Sequence, residues 1–136
     1  MKANEKRKLL FPNWNTFDGG LIYCIDSVLS AYSDSNDLEE DRNLGFMAPC
    51  SVNGYMAIEI AAKCIVSYNE FNADQVKEVV KMFGYDSAYF FAREGSPAIY
   101  IRPSKNMWLQ FDKELPFLVD EVSFDAKMQM FRLWWD

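Results

Sequence analysis

The chain contains no histidine. Without an imidazole, a Ser-His-Asp triad, a Cys-His pair, an H-E-x-x-H zinc site and a zinc finger of two cysteines and two histidines are all excluded. Cysteine is scarce as well. Cys24, Cys50 and Cys64 are an odd number with no C-x-x-C spacing, too few for a four-cysteine zinc site and a poor basis for a disulfide framework. Neither G-x-x-x-x-G-K-[ST] nor G-x-G-x-x-G occurs, so no phosphate-cradling loop is visible. No apolar run approaches the roughly 20 residues that a membrane span needs. The charged start Met1–Lys8 leads only to Leu9, Leu10 and Phe11 before Pro12, so a signal-peptide core is not seen either. Free thiols and the lack of an N-x-S/T sequon fit a reducing compartment, and the expected location is the cytoplasm.

What is present is a chain of 136 residues, half of them hydrophobic, a quarter charged and 16% aromatic. That length and balance predict one soluble globular domain over residues 1–136. The net charge is −6. Lys2, Lys6, Arg7 and Lys8 stand against Glu5, so residues 1–10 read as a basic tail with scope to be flexible, and the body is more acidic than the total. An acidic body is repelled by nucleic-acid phosphates and attracted to basic protein surfaces. Tyr89-Phe90-Phe91 has the look of a base-stacking platform, but only Arg93, Arg102 and Lys105 lie near it. Packing within a sheet accounts for those rings better.

Hydrophobic periodicity gives the elements. From Leu21 to Ser33, Ile22, Ile25, Leu29 and Tyr32 recur at helical spacing. Tyr55–Glu70 reads as a central helix, apolar almost all round, with Glu59, Lys63, Ser67 and Glu70 as its one polar stripe. A third helix has Asn72 as N-cap, Gln75 as reciprocal partner, a Phe71–Val76 staple, and the stripe Val76, Val79, Val80 and Phe83 ending at Gly84. After Gly84 the period changes to two. Ala88–Arg93 and Ala98–Arg102 flank Glu94-Gly95-Ser96-Pro97 as a hairpin, and Met107–Asp112 alternates as a further strand. Leu44–Ala48 and the segment from Met128 onward also fit strands, the latter nearly as well a helix. Helices first and strands later predict an α+β fold: three N-terminal helices around the central buried helix 55–70, packed on a C-terminal antiparallel sheet of three to four strands.

Asp34-Ser35-Asn36-Asp37 opens like a calcium loop, but Leu38 and Glu39 occupy positions the loop cannot give them. The segment reads instead as a solvated acidic connector, and neither a metal nor a cofactor is expected. Cys24-Ile25-Asp26-Ser27-Val28-Leu29, following Gly19-Gly20, resembles the nucleophile-bearing helix start of papain-like cysteine peptidases, including ubiquitin-specific proteases. In that family the helix dipole lowers the thiol pKa. The match spans about eight residues and lacks both the preceding asparagine-threonine pair and the family's histidine. The resemblance therefore implies at most a degenerate hydrolase fold around Cys24, and behaviour as a small buried apolar residue is the other reading.

The composition points first to a protein-binding module. Charge speeds encounter with a basic surface and buried rings supply affinity. The expected function is stoichiometric inhibition, of immunity or anti-defence type, of a basic partner protein, with nucleic-acid-binding proteins as one such class. Direct nucleic-acid or membrane contact is not expected, nor enzymatic activity, and the oligomeric state is left open. The candidate contact residues are Asp34, Asp37, Glu39, Glu40 and Asp41 of the connector, with Trp134 and Trp135. The alternatives are the Cys24 hydrolase fold and a structural subunit docking through Trp134-Trp135.

Overall fold

The computed structural model describes residues 2–32, 43–44, 50–65, 67–68, 71–104 and 118–136. In chain order its elements are α1 (Ala3–Leu10), a 3-10 turn (Trp14–Thr16), α2 (Gly19–Ala31), β1 (Asn43–Leu44), α3 (Gly54–Ile60) running into a π-helical turn (Ala61–Ile65), β2 (Ser67–Tyr68), β3 (Phe71–Asn72), α4 (Ala73–Phe83), β4 (Ala88–Glu94), β5 (Ser96–Arg102), β6 (Glu121–Asp125) and β7 (Met130–Trp134). Among the described residues four helices precede the strands β4 to β7 of an antiparallel sheet of order β1-β4-β5-β7-β6, whose two-residue edge piece β1 comes from between α2 and α3. The fold is α+β, as the order of periodicities predicts.

α4 forms where its sequence signals place it. Asn72 Oδ1 accepts the Gln75 amide at 3.0 Å, and Phe71 and Val76 are both fully buried at the entry. Val76, Val79, Val80 and Phe83 turn one stripe into the core. Gly84 stops the helix at φ +99°, a region where a side chain would be strained. Ser87 Oγ then donates to the Phe83 carbonyl at 2.5 Å and Tyr89 Oη to the Gly84 carbonyl at 2.7 Å, so the helix end is tied to the start of β4.

β4 and β5 make the expected hairpin, from Ala88↔Arg102 to Glu94↔Ser96. β7 pairs with β5, and β6 with β7. The alternation of side chains gives this sheet two unlike faces. On one, Tyr89–Ile101–Phe131 and Phe91–Ile99–Leu133 stand in register, all at most 1% exposed, and meet the helices in one core. On the other, Phe90–Tyr100–Arg132 and Ala92–Ala98–Trp134 stand in register.

The central helix is shorter than expected. It begins on the Asn53 cap, whose Oδ1 accepts the Met56 amide at 2.9 Å, and the ion pair Glu59–Lys63 is present at 3.4 Å. Beyond Ile60 the chain loosens into the π-turn, which keeps Ala61, Cys64 and Ile65 buried while ending the helix. Ser67–Tyr68 then doubles back to pair with Phe71–Asn72. Asn72 must be extended to cap α4 (φ −158°, ψ −179°), and the chain reaches that conformation through a hairpin rather than through more helix.

One further expectation changes and another is extended. The basic tail is helix α1, packed on α2. Arg7 is 7% exposed and its Nη1 donates to Asp26 Oδ2 at 2.5 Å, with the Trp14 ring 5.3 Å from its guanidinium carbon. The strand expected from Met128 onward is present as β7, starting at Met130, and it gains a hairpin partner that the periodicity did not mark, β6. Asp125 Oδ1 accepts the amides of Lys127 and Met128, and Gln129 takes φ +59° at the turn. The expected strand Met107–Asp112 lies outside the described residues, as do residues 45–48 of the short apolar run.

Candidate functional site

The starts of α2 and α3 sit side by side and enclose a cleft of about 280 Å³, lined by Asp18, Gly20, Leu21, Cys50, Ser51, Val52, Asn53 and Met56. Local sequence explains each wall. Asp18 caps α2, its Oδ1 accepting the Leu21 amide at 2.8 Å, and Asn53 caps α3 in the same way. Val52 is fixed to the sheet by paired backbone bonds with Tyr89, each 2.9 Å. Gly54 is held against the turn after α4: its amide donates to the Tyr85 carbonyl at 2.8 Å. A Cβ on Gly54 would fall 2.5 Å from Val80 Cγ1 and 2.8 Å from Tyr85 Cα, so this close approach requires glycine.

That approach brings two tyrosines together. The rings of Tyr55 and Tyr85 are 4.4 Å apart between centroids, tilted by 33°. Tyr55 is nevertheless 70% exposed and Tyr85 39%. Tyr23, three residues beyond Gly20 on α2, is 61% exposed. Asp86 follows Tyr85, and its carboxylate accepts the Ser104 hydroxyl at 3.0 Å. Among the described residues the lining carries one charged group, the Asp18 carboxylate, and no cation. Such a surface offers aromatic contact area, hydroxyls for hydrogen bonding and negative charge.

The thiols do not suit a nucleophile. Cys24 is fully buried in the second turn of α2, not at its first residue, and burial pushes its thiol up to about 12, with Cys50 adding to the rise. Cys64 is likewise raised to about 12, mainly by burial. Cys50 lines the cleft, and burial followed by the Asp18 carboxylate raises it also. Activation needs the opposite shift. Cys24 thus sits within the helix as a small buried residue, the second of the two readings that its sequence allows. Among the described residues no three His, Cys, Asp or Glu side chains group as a metal site would need. Nor is any helix among them long and apolar enough to cross a membrane.

Of the contact residues expected from sequence, Asp34, Asp37, Glu39, Glu40 and Asp41 lie outside the described residues. Trp135 is a correction. It is 0% exposed, edge-on to Phe71 at 4.8 Å, with its indole N–H donating to the Leu118 carbonyl at 2.6 Å. It belongs to the core and presents nothing to a neighbour. Trp134 is half-buried on the other sheet face, its indole N–H donating to the Glu94 carbonyl at 2.9 Å. Sequence reasoning misses the tyrosines because 30 residues separate Tyr55 from Tyr85; the local signal is Tyr55 directly after the cap-like Asn53-Gly54. No family model, curated protein or solved structure matches this chain.

Proposed function

We propose that the protein is a small acidic binding module that works in the cytoplasm by occupying a basic partner protein, as a stoichiometric inhibitor of immunity or anti-defence type. The observation that carries this reading is the stacked yet exposed pair Tyr55–Tyr85 beside an acid-lined cleft. Tyrosine supplies large, rigid contact area at little conformational cost, and its hydroxyl keeps it soluble when unbound. Asp86 follows Tyr85 in the chain, Asp18 lines the cleft, and the chain as a whole carries −6. Opposite charge on the partner then speeds association, while the rings, once desolvated, set the lifetime of the complex.

The test is calorimetric titration against a basic nuclease or DNA-binding protein encoded beside the gene, at low and high salt. The expected result is one-to-one binding that weakens as salt rises, with Tyr55→Ala losing roughly tenfold or more in affinity. Binding indifferent to both salt and Tyr55→Ala would refute the reading.

A further inference from the structure

The cleft between the starts of α2 and α3 matches one long side chain rather than a cofactor. Its volume, about 280 Å³, lies below the roughly 300–1,000 Å³ of pockets that enclose drug-sized ligands. Its walls divide by chemistry. Leu21, Val52 and Met56 offer apolar surface, whereas Asp18, Ser51 and Asn53 offer oxygen acceptors. Val52 is tied to Tyr89 by two backbone bonds, and Asp18 and Asn53 are each tied to the helix they cap. The walls therefore stand on fixed backbone, as a specific contact site requires.

The balance of donors and acceptors sets the charge of the occupant. Each helix start brings partial positive charge, about half an elementary charge. Three of the amides that would present it are already taken. Leu21 N–H donates to Asp18 Oδ1 at 2.8 Å, Gly54 N–H to the Tyr85 carbonyl at 2.8 Å, and Met56 N–H to Asn53 Oδ1 at 2.9 Å. Asp18 keeps a full negative charge, is exposed, and forms no ion pair among the described residues. Its field reaches the opposite wall, where it adds to the effect of burial in raising the Cys50 thiol. An anion meets that carboxylate with no cation in the described lining to offset it, so the cleft selects positive charge. Arginine fits better than lysine. Its planar guanidinium spreads five donors over separate acceptors and is more weakly hydrated than an ammonium, while its methylene stem matches the apolar wall of Leu21 and Met56.

We infer that this cleft is a socket for one arginine side chain of a basic protein partner, with Asp18 as the group that receives the guanidinium. The inference rests on the proposed function for its partner and places the partner's arginine next to Tyr55, which lies in the chain between the lining residues Asn53 and Met56. Its test needs no partner. The probe is N-acetyl-arginine amide, titrated into the full chain and followed by the amide NMR signals of Leu21 and of residues 51–56, with the N-acetyl-lysine and N-acetyl-glutamate amides as comparisons. The arginine probe is expected to shift those signals with a Kd on the order of millimolar, the lysine probe more weakly and the glutamate probe not at all. Asp18→Asn keeps the cap, since asparagine caps as well as aspartate, and removes the charge; it should weaken arginine binding roughly tenfold. Signals that stay in place with the arginine probe, shifts as large with the lysine or glutamate probe, or an Asp18→Asn chain that binds arginine as well as the wild type would each overturn the inference. A basic partner that binds while the arginine probe does not would leave the proposed function standing and remove the socket. Probe binding without any basic partner would do the reverse.

Discussion

The two faces of the sheet are built from the same strands by opposite means. On the helix side, Phe91, Ile99, Phe131 and Leu133 are sealed against the helices, and the only polar group among the in-register residues, the Tyr89 hydroxyl, is satisfied by the Gly84 carbonyl. On the other side, Glu94 gathers a network: Arg132 Nε donates to it at 2.8 Å, Tyr100 Oη at 2.9 Å, and the Trp134 indole to its carbonyl at 2.9 Å. Around it Phe90 is 3% exposed with the Arg102 guanidinium over its ring at 5.6 Å, and Ala92 and Ala98 are also buried. The first face draws its stability from removing apolar area from water, which is large and non-directional. The second draws on charge-assisted bonds between half-exposed groups, which are smaller and more specific. Both faces consume aromatic rings, so among the described residues the rings left exposed for contact are tyrosines.

Alkali should act hardest, and on the helix side. Cys24 and Cys64 are held near 12 against an ordinary 9.0. Below pH 9 both folded and unfolded chains keep these protons, so stability is unaffected. Above it the unfolded chain loses protons that the folded chain retains, and stability falls until about pH 12. The slope is about 1.4 kcal/mol per pH unit for each thiol, so urea midpoints should drop steeply from pH 9 upward. A flat midpoint over that range would mean the thiols are not sealed. Next comes Phe131→Ala, expected to cost about 3–5 kcal/mol in denaturant unfolding, since Phe83 and Phe124 rings pack on it at 5.1 and 4.8 Å. Glu94→Ala, on the opposite face, should cost about 1–3 kcal/mol, because Arg132 and Tyr100 lose their shared acceptor. Should it match Phe131→Ala, the contrast between the faces collapses. Trp134→Phe removes one indole bond and should cost about 1 kcal/mol. Smallest is Lys81→Ala on α4, whose exposed pair with Glu78 at 3.3 Å contributes under about 0.5 kcal/mol to thermal stability.

Local signals were the legible ones. The Asn72 cap, the valine stripe and Gly84 mark α4 almost to the residue, and the hairpin around Gly95 follows from its flanking β-formers. Tyr55–Glu70 misleads because its apolar run continues past the point where the backbone turns. Composition cannot distinguish a buried helix from a helix that loosens into a π-turn and then a hairpin. The turn before β7 is hidden because Gln129, rather than glycine or asparagine, takes the left-handed conformation. Arg7 gives no hint of its role, since an ion pair with Asp26 across 19 residues leaves no periodic trace. The candidate site was the least readable part. A Trp-Trp pair suggests exposure by its bulk, yet Trp135 finds its place in the core through Phe71 and Leu118, which only the fold brings near.

The strand order has a consequence for synthesis. β7 lies between β5 and β6, so the middle of the sheet is filled by the strand translated last among the four. While the ribosome is still adding residues beyond Arg102, the nascent hairpin of β4 and β5 has the helices for its core face, but the flank of β5 that β7 will pair with is bare. That interval, lasting some seconds at ordinary elongation rates of about 5–20 residues per second, is when this polypeptide is most open to misassociation. Slower translation over residues 103–135 would lengthen the exposure, and holdase chaperones would find their natural target there.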